Sequence, residues 1–426
     1  MGIAADGAAE RGLTAWLEHI AQLHPAVIDM GLERVRVVLA ALALPATCPV
    51  IIVAGTNGKG STCAMLEAIL LAAGFRVGTY TSPHLLRYNE RVRINGKEAG
   101  DHELCAGFAS VERVRADVPL TYFEFSTLAA WASFARSDLD VLVLEVGLGG
   151  RLDAVNVFEP DASIVTSVAL DHVDLLGDTR DKIGWEKAHV FRPGRPAICA
   201  DPEPPQKLVE HAHAIAADLW LAGRDFGFDG DAQQWRYRGR SITRGGLAYP
   251  ALRGANQLLN ASAVLATLEA LRDRLPVSAG AVREGLAAVT LPGRFQVLPG
   301  KPVVILDVAH NPHAAAVLAA NLTSMDRFAS TVAVFGMLRD KDMAGVVRAM
   351  HDVIDVWYVA SLPGPRGASN EELERLLSER GAEVHVCSSI AAAWLQANGA
   401  VSEAGRIVVF GSFLTVSAVL ESRTGQ

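Results

Sequence analysis

Short runs of apolar, β-branched residues recur along this chain, and most of them stop at a glycine or a polar loop. VIIVA (Val50–Ala54), the run at 75–80, VLVLEV at 141–146 and the run at 162–168 lie in the first half. VVILDVA, TVAVFGM, DVWYVAS, EVHVC and RIVVFGS lie in the second. Runs of this length without alternation suit strands buried on both faces. Stretches of helical length separate many of them, as at 61–73. Alternating strands and helices build a doubly wound parallel sheet. The pattern breaks around 218–252, where QWRYRG and SITRGG are set off by glycines, and a small antiparallel sheet is expected. A helix follows at 257–275, then the Pro- and Gly-rich LPGRFQVLPGKP at 291–302, after which the alternation starts afresh. The expected architecture is α/β. An N-terminal doubly wound domain carrying the small sheet spans 1–294, and a C-terminal Rossmann-like α/β domain spans 295–426.

A chain of 426 residues suits two such domains. Its net charge of −8 argues against nucleic-acid or anionic-membrane partners. The five cysteines (48, 63, 105, 199 and 387) stand far apart without CxxC spacing, as in a reduced, cytoplasmic protein. The first residues, MGIAADGAAERGLTAW, have no basic region followed by an apolar one, so no signal peptide is expected. Residues 37–55 carry no charge, but Pro45 and Pro49 interrupt them. A helix ending near Leu44, a turn and a strand from Val50 explain them better than a membrane span. Residues 13–44 read as two helices with a turn at Pro25 and Gly31.

In open parallel sheets ligands bind at the carboxyl ends of strands. The first strand ends in AGTNGKGST and a helix follows. Backbone N–H groups, the helix N-terminus and Lys59 suit the phosphates of a nucleotide, and Gly58 and Gly60 allow close approach. The loop departs from G-x-x-x-x-G-K-[ST]: Val53 replaces the first glycine, and Gly60 separates Lys59 from Ser61. Glu145 sits near the end of an apolar strand, where a carboxylate needs an ion pair, with Arg151 for instance, or a cation such as Mg²⁺ held against ATP. TSPHLL adds Ser82 to this edge. TSVALDH adds His172, a metal or phosphate ligand or a structural histidine. Lys187, in EKA, taken alone is a lysine on a solvated helix face. In the second domain DVAHNP supplies Asp307, His310 and Asn311; GMLRDKD, GPRG and GSFLT end later strands, and Arg294 precedes the first.

GTNGKGST, TSPHL, LEVGLGGRLDA, TSVALDH, EKA, LPGRFQ, DVAHNP and GMLRDKD occur in this order from about Trp16 to Phe413. The set resembles folylpolyglutamate synthase of the Mur ligase superfamily, most closely the bacterial bifunctional branch that also acts as dihydrofolate synthase. The resemblance implies a P-loop domain and a Rossmann-like domain with the active site between them, and a glycine after the loop lysine as the family's rule. It also implies an ATP-dependent ligase that joins L-glutamate to 7,8-dihydropteroate and extends tetrahydrofolate with γ-linked glutamates through an acyl phosphate. Thr56, Asn57, Gly58, Lys59, Gly60 and Ser61 would hold the ATP phosphates. Asn260, Arg294 and Asp307 match further ATP positions, with His310 beside them. Ser82, Glu145 and His172 would serve Mg²⁺, with two sites expected. Lys187 matches a lysine that is carbamylated in the superfamily. Lys59, His172 and Lys187 are the catalytic candidates. Asp29, Met30, Gly31 and Leu32, then Thr121, Tyr122, Phe123 and Glu124, and Leu152, Asp153 and Ala154 match segments that bind dihydropteroate. Phe125, next in line, reads equally as a core aromatic. Trp185 and His189, around Lys187, are larger than the resemblance leads one to expect.

A monomer in the cytoplasm is expected, with glutamate bound by the second domain through residues the sequence does not single out. The nearest other readings are a monofunctional folylpolyglutamate synthase or another Mur-type amide ligase, and the DMGL and TYFEF segments favour the dihydropteroate user. A nucleotide-dependent switch without ligase chemistry would have no need of the second domain's DVAHNP loop.

Overall fold

A computed structural model of the chain describes residues 11–231, 233–254 and 256–424. Most of the N-terminal stretch in which no signal peptide is expected, residues 1–10, lies outside the described residues. The chain divides into two compact units. The first runs to Val168 and includes Leu176–Pro250 and Leu258–Val289. The second holds Ala169–Leu175, Ala251–Gln257 and the chain from Thr290 onward.

The first unit is built on eight strands: β1 (Val50–Ala54), β2 (Val77–Tyr80), β3 (Val92–Ile94), β4 (Lys97–Glu98), β5 (Val141–Glu145), β6 (Ala162–Val165), β7 (Pro196–Cys199) and β8 (Asp218–Leu221). Their order is β4-β3-β2-β5-β1-β6-β7-β8. From β2 to β8 every pairing is parallel. The order reverses around β1, which pairs with β5 on one side and β6 on the other, and such a reversal opens a ligand crevice at the strand ends. Register makes those ends level: Val53 stands opposite Glu145, and Ala54 opposite Val165.

Two helices, Leu13–Gln22 and Glu33–Leu42, occupy the segment read as two helices, and the uncharged residues 37–55 are divided among the end of the second helix, a loop and β1. Among the described residues no helix is long and apolar enough to cross a membrane. The β3–β4 hairpin is not anticipated by the strand pattern, although its turn, Asn95-Gly96, has positive φ at both residues (51° and 76°), the form that Asn-Gly favours. β7 is likewise additional to the expected strands. The small antiparallel sheet exists, but it begins later than expected. It comprises β9 (Gly227–Gly230), β10 (Trp235–Arg238) and β11 (Thr243–Leu247), while β8 closes the large sheet. Along β10, Trp235 and Tyr237 are buried and Arg236 and Arg238 exposed, the period of two of a one-sided sheet.

The second unit has six strands: β12 (Gln296–Leu298), β13 (Val303–Leu306), β14 (Thr331–Phe335), β15 (Val356–Val359), β16 (Glu383–Val386) and β17 (Arg406–Phe410). Their order is β12-β13-β17-β14-β15-β16, and only β12 is antiparallel. The five apolar runs of the second half are the five parallel strands. β12 lies within the Pro- and Gly-rich segment, where an edge strand tolerates the flanking prolines.

Candidate active site

Gly58 caps the helix Lys59–Ala72 in the left-handed conformation (φ 88°), with no side-chain cap. A Cβ at Gly58 would stand 2.8 Å from Asn260 Oδ1, and one at Gly55 (φ 148°) 1.9 Å from Thr166 Oγ1. Both glycines are therefore required by contact as well as by backbone conformation. The loop is tied to the end of β6. The Thr56 N–H donates to the Ser167 carbonyl (2.8 Å) and the Asn57 N–H to Ser167 Oγ (3.1 Å). The hydroxyls of Thr166 and Ser167 donate to the Asn57 carbonyl (2.7 and 3.0 Å). Lys59 Nζ donates back to the carbonyls of Gly55 and Thr56 (3.1 and 3.3 Å). The helix N-terminus thus faces a preformed loop with a cation folded over it, the arrangement that binds phosphate.

Glu145 is 3% exposed at the end of β5, and its Oε2 accepts from the Ser82 N–H (3.1 Å). Arg151 is engaged elsewhere, by Glu186 (2.9 Å), so the ion pair considered for Glu145 is not formed. Among the described residues no group of three or more His, Cys, Asp or Glu side chains is placed to hold a metal. A cation at Glu145 would draw on hydroxyl and phosphate oxygens, which suits Mg²⁺.

Lys187 is not on a solvated face. It is 3% exposed in the last turn of the helix Arg180–Ala188. A Cβ on Gly150 would come 2.7 Å from the Glu186 carbonyl and 3.0 Å from Lys187 Cα, so the GLGG loop presses on this helix. The large neighbours pack outward: the Trp185 and His189 rings lie 4.3 Å apart, and the Arg151 guanidinium lies 5.0 Å from the Trp185 ring.

The three segments expected to meet dihydropteroate come together. Phe123 lies on Gly147, whose Cβ would come 2.5 Å from the ring, and Met30 and Leu176 lie over Gly149. Arg34, which no motif singles out, joins two of the segments: it donates to Asp29 Oδ2 (2.9 Å) and to both Glu124 oxygens (3.1 Å). Thr121 and Glu124 form a capping box, a structural use of both side chains. Gly31 and Leu32 lead into the second helix, and Tyr122 opens the helix Tyr122–Phe134. Phe125 is fully buried and packs in the core. Leu152 is half-buried and Ala154 buried. Asp153 turns inward and accepts from the N–H groups of Leu148 (2.8 Å) and Val155 (2.9 Å). Burial pushes its carboxyl up to about 6 against those hydrogen bonds.

In the second unit Asp171 gathers the DVAHNP and GMLRDKD loops. It accepts from Lys341 Nζ (2.6 Å) and Asn311 Nδ2 (3.0 Å), and His310 Nε2 stands 3.7 Å away. Burial alone would raise this carboxyl, but Lys341, His172 and His310 outweigh it and hold it well below the usual range. His172 has a left-handed backbone (φ 51°), uncommon outside glycine and frequent at functional sites. Its Nε2 is 3.0 Å from Lys341 Nζ. Desolvation, then Lys341, lowers His310 to about 4. Asp307 accepts from the N–H groups of Phe295 and Ala309 (2.8 Å each), and desolvation raises its carboxyl in spite of Arg294. The Arg294 guanidinium lies 5.1 Å from the Phe413 ring. Asp171, Lys341 and Phe413 lie inside or beside the sequence motifs, but nothing in the sequence prefers them to their neighbours.

A nucleotide loop backed by a carboxylate on the next strand, followed by a second parallel-sheet unit, is the construction of a Mur-type ligase. Residues 53–200 match the Mur ligase middle domain, and 293–413 match the Mur ligase, glutamate ligase domain. More particularly, the chain belongs to the dihydrofolate synthase/folylpolyglutamate synthase family. The dihydrofolate synthase/folylpolyglutamate synthase of Escherichia coli (strain K12) is 44% identical over 411 residues, 96% of this chain and 95% of its own length. A structure of E. coli FolC in complex with DHPP and ADP matches with a TM-score of 0.93 at 43% identity, covering 98% of this chain and 99% of that one. A bifunctional folylpolyglutamate synthase/dihydrofolate synthase with Mn, AMPPNP and L-glutamate bound matches with a TM-score of 0.91 at 45% identity, covering 98% and 99%.

Proposed function

We propose that this chain is an ATP-dependent ligase that joins L-glutamate to 7,8-dihydropteroate, giving dihydrofolate, and adds further γ-linked glutamates to tetrahydrofolate through an acyl phosphate. One juxtaposition carries the reading: the Lys59 loop and helix N-terminus beside Glu145, a buried carboxylate level with Val53 on the adjoining strand. The full-length kinship with proteins of that name supports it.

A carboxylate resists attack by an amine because its carbon is electron-rich and it has no good leaving group. In the proposed reaction a carboxylate oxygen attacks the γ-phosphorus and the bond to the ADP oxygen breaks. The glutamate nitrogen then attacks the acyl carbon, loses a proton and expels phosphate. Thr56 to Ser61 form the loop that holds the ATP phosphates, its N–H groups from Gly58 onward at the helix N-terminus meeting them while those of Thr56 and Asn57 stay on Ser167, and Lys59 turns from its two carbonyl partners to the phosphate oxygens. Ser82, Glu145 and His172 are the residues for Mg²⁺, at two sites. When bound, Mg²⁺ offsets charge on phosphates approached by an anion. A carbamate on Lys187 makes an anion of a lysine and so a support for the second ion. Asn260, Arg294, Asp307 and His310 contact ATP. Asp29 to Leu32, Thr121 to Glu124 and Leu152 to Ala154 bind dihydropteroate, with Arg34 fixing the first two segments to each other. The second domain, taken as 295–426, binds glutamate. The enzyme works as a monomer in the cytoplasm, without nucleic-acid or membrane partners.

Purified protein given ATP, Mg²⁺, L-glutamate and dihydropteroate is expected to form dihydrofolate. ADP release that ignores dihydropteroate would overturn the substrate and leave another ligase or a nucleotide switch.

A further inference from the structure

Arg91 is a buried cation that none of these roles uses. It closes the short helical turn Tyr88–Arg91. Its carbonyl accepts from the Thr81 N–H (2.9 Å), across the antiparallel pairing in which Tyr80 faces Val92. Its backbone therefore runs beside the strand end that leads to Ser82. The residue is 9% exposed. A guanidinium keeps its charge at any working pH, and a charge removed from water is costly unless an opposite charge meets it.

Arg91 has no carboxylate partner among the described residues. The adjacent Glu90 is occupied by the N–H groups of Leu85, Leu86 and Arg87 (2.7 Å each). Arg91 Nε donates to His84 Nδ1 (2.8 Å). An imidazole nitrogen accepts only when unprotonated, so that ring brings a lone pair and no negative charge. The remaining neighbours are two tyrosine faces, Tyr88 and Tyr122, each with its ring centroid 5.6 Å from the guanidinium carbon. Aromatic faces orient a cation without neutralising it. The terminal nitrogens make no hydrogen bond to described residues, and they are not among the sealed, unpartnered atoms of the core. Tyr122 also begins the helix of TYFEF, so this cation lies between the Ser82 strand end and a segment assigned to dihydropteroate.

We propose that Arg91 binds the carboxylate of the folate-side substrate, its two terminal nitrogens forming a paired ion contact between the walls of Tyr88 and Tyr122. This rests on the dihydropteroate reading above and names the residue that holds the reacting end of that substrate. A planar fork matches a carboxylate in two parallel hydrogen bonds. The same contact would offset the substrate's charge as it approaches the ATP phosphates.

The test is equilibrium binding, without ATP, of dihydropteroate and of its carboxamide, in which the charge is gone and the rings remain. Wild type is expected to prefer the acid by about 10- to 100-fold, the range for a hydrogen-bonded charge. R91M is expected to bind acid and amide within about threefold of each other, and R91K to retain only part of the preference because a point charge replaces the fork. Each ratio is taken within one protein, so a general loss of stability cancels. A wild-type preference kept by R91M overturns the proposal; so does one kept in full by R91K, which carries the test where R91M does not fold. Wild type that makes dihydrofolate but does not distinguish acid from amide overturns the Arg91 assignment alone. Wild type that makes no dihydrofolate overturns the functional reading itself.

Discussion

Lys341 Nζ lies 2.6 Å from Asp171 Oδ1, and the two side chains are only 6% and 9% exposed. They are 170 residues apart in sequence, yet both belong to the second unit, because Ala169–Leu175 is part of it. The pair joins that segment to the GMLRDKD loop and places His172 Nε2 within 3.0 Å of the same ammonium.

Removing one partner of a buried ion pair costs more than replacing both, because a bare charge remains. K341M is expected to lower unfolding free energy by about 3 kcal/mol. The double variant K341M/D171N is expected to recover part of that loss. Urea denaturation at pH 7 measures both. A K341M protein as stable as wild type would show that Asp171 is neutralised by its other partners.

Glu145→Ala and Lys59→Ala are expected to leave the fold intact and to reduce ligation at least about 100-fold, the scale for losing a group that stabilises transferred charge. Dihydrofolate formation measures the loss, and circular dichroism checks the fold. Near-normal turnover in either variant would remove that residue from the phosphate and metal assignments.

Gly58→Ala sets a Cβ at positive φ and 2.8 Å from Asn260 Oδ1. Left-handed backbone costs a residue other than glycine about 1–2 kcal/mol. Gly194→Ala is the matched control, with φ +66° and nothing within 4 Å of its Cβ. Both variants are expected to lose similar stability from strain. Only Gly58→Ala is expected to weaken ADP binding, by about tenfold or more if a misplaced loop forfeits one charge-assisted hydrogen bond. Calorimetric titration with ADP distinguishes them; equal affinities would argue against the loop as the phosphate cradle.

The parallel strands were legible wherever burial on both faces removed any alternation, as in VIIVA and RIVVF. β12 was hidden because its three residues lie between glycines and prolines that also describe a linker. The candidate site was legible where its geometry is local: Gly58 and Lys59 are neighbours in the chain. Contacts that depend on tertiary distance were not. Arg34 joins Asp29 to Glu124 across 90 residues, and nothing in RVR at 34–36 separates Arg34 from Arg36. Asp153 shows the converse: it stands in a segment expected to bind dihydropteroate, while its carboxylate serves the backbone of its own loop.

A CO₂ adduct on Lys187 is expected in active protein, observable by ¹³C NMR after exchange with labelled bicarbonate, and lost in K187R, which cannot form a lysine carbamate. An unmodified Lys187 in a fully active preparation would assign the support of the metal to other groups.

Asp153 makes stability depend on pH with a definite sign. Burial raises its folded pKa to about 6, against an unfolded value of about 3.9. Between those values the native state binds more protons than the unfolded state, so this carboxyl favours folding increasingly as pH falls. Its contribution is complete below about pH 4 and is lost as pH rises through 6. In Asp153→Asn the titration is gone, and an amide N–H₂ must face one of the N–H groups of Leu148 and Val155. The variant is therefore expected to be less stable than wild type at pH 7. The gap between them should widen by about 1 kcal/mol on going to pH 5, since a tenfold change in proton affinity on folding is worth about 1.4 kcal/mol. Urea midpoints at pH 7, 6 and 5 measure it, and other groups common to both proteins cancel in the difference. A gap that stays constant would mean that Asp153 ionises alike in the folded and unfolded chain. A gap that narrows would mean that the hydrogen bonds from Leu148 and Val155, with Lys59 nearby, outweigh burial and hold the carboxylate charged.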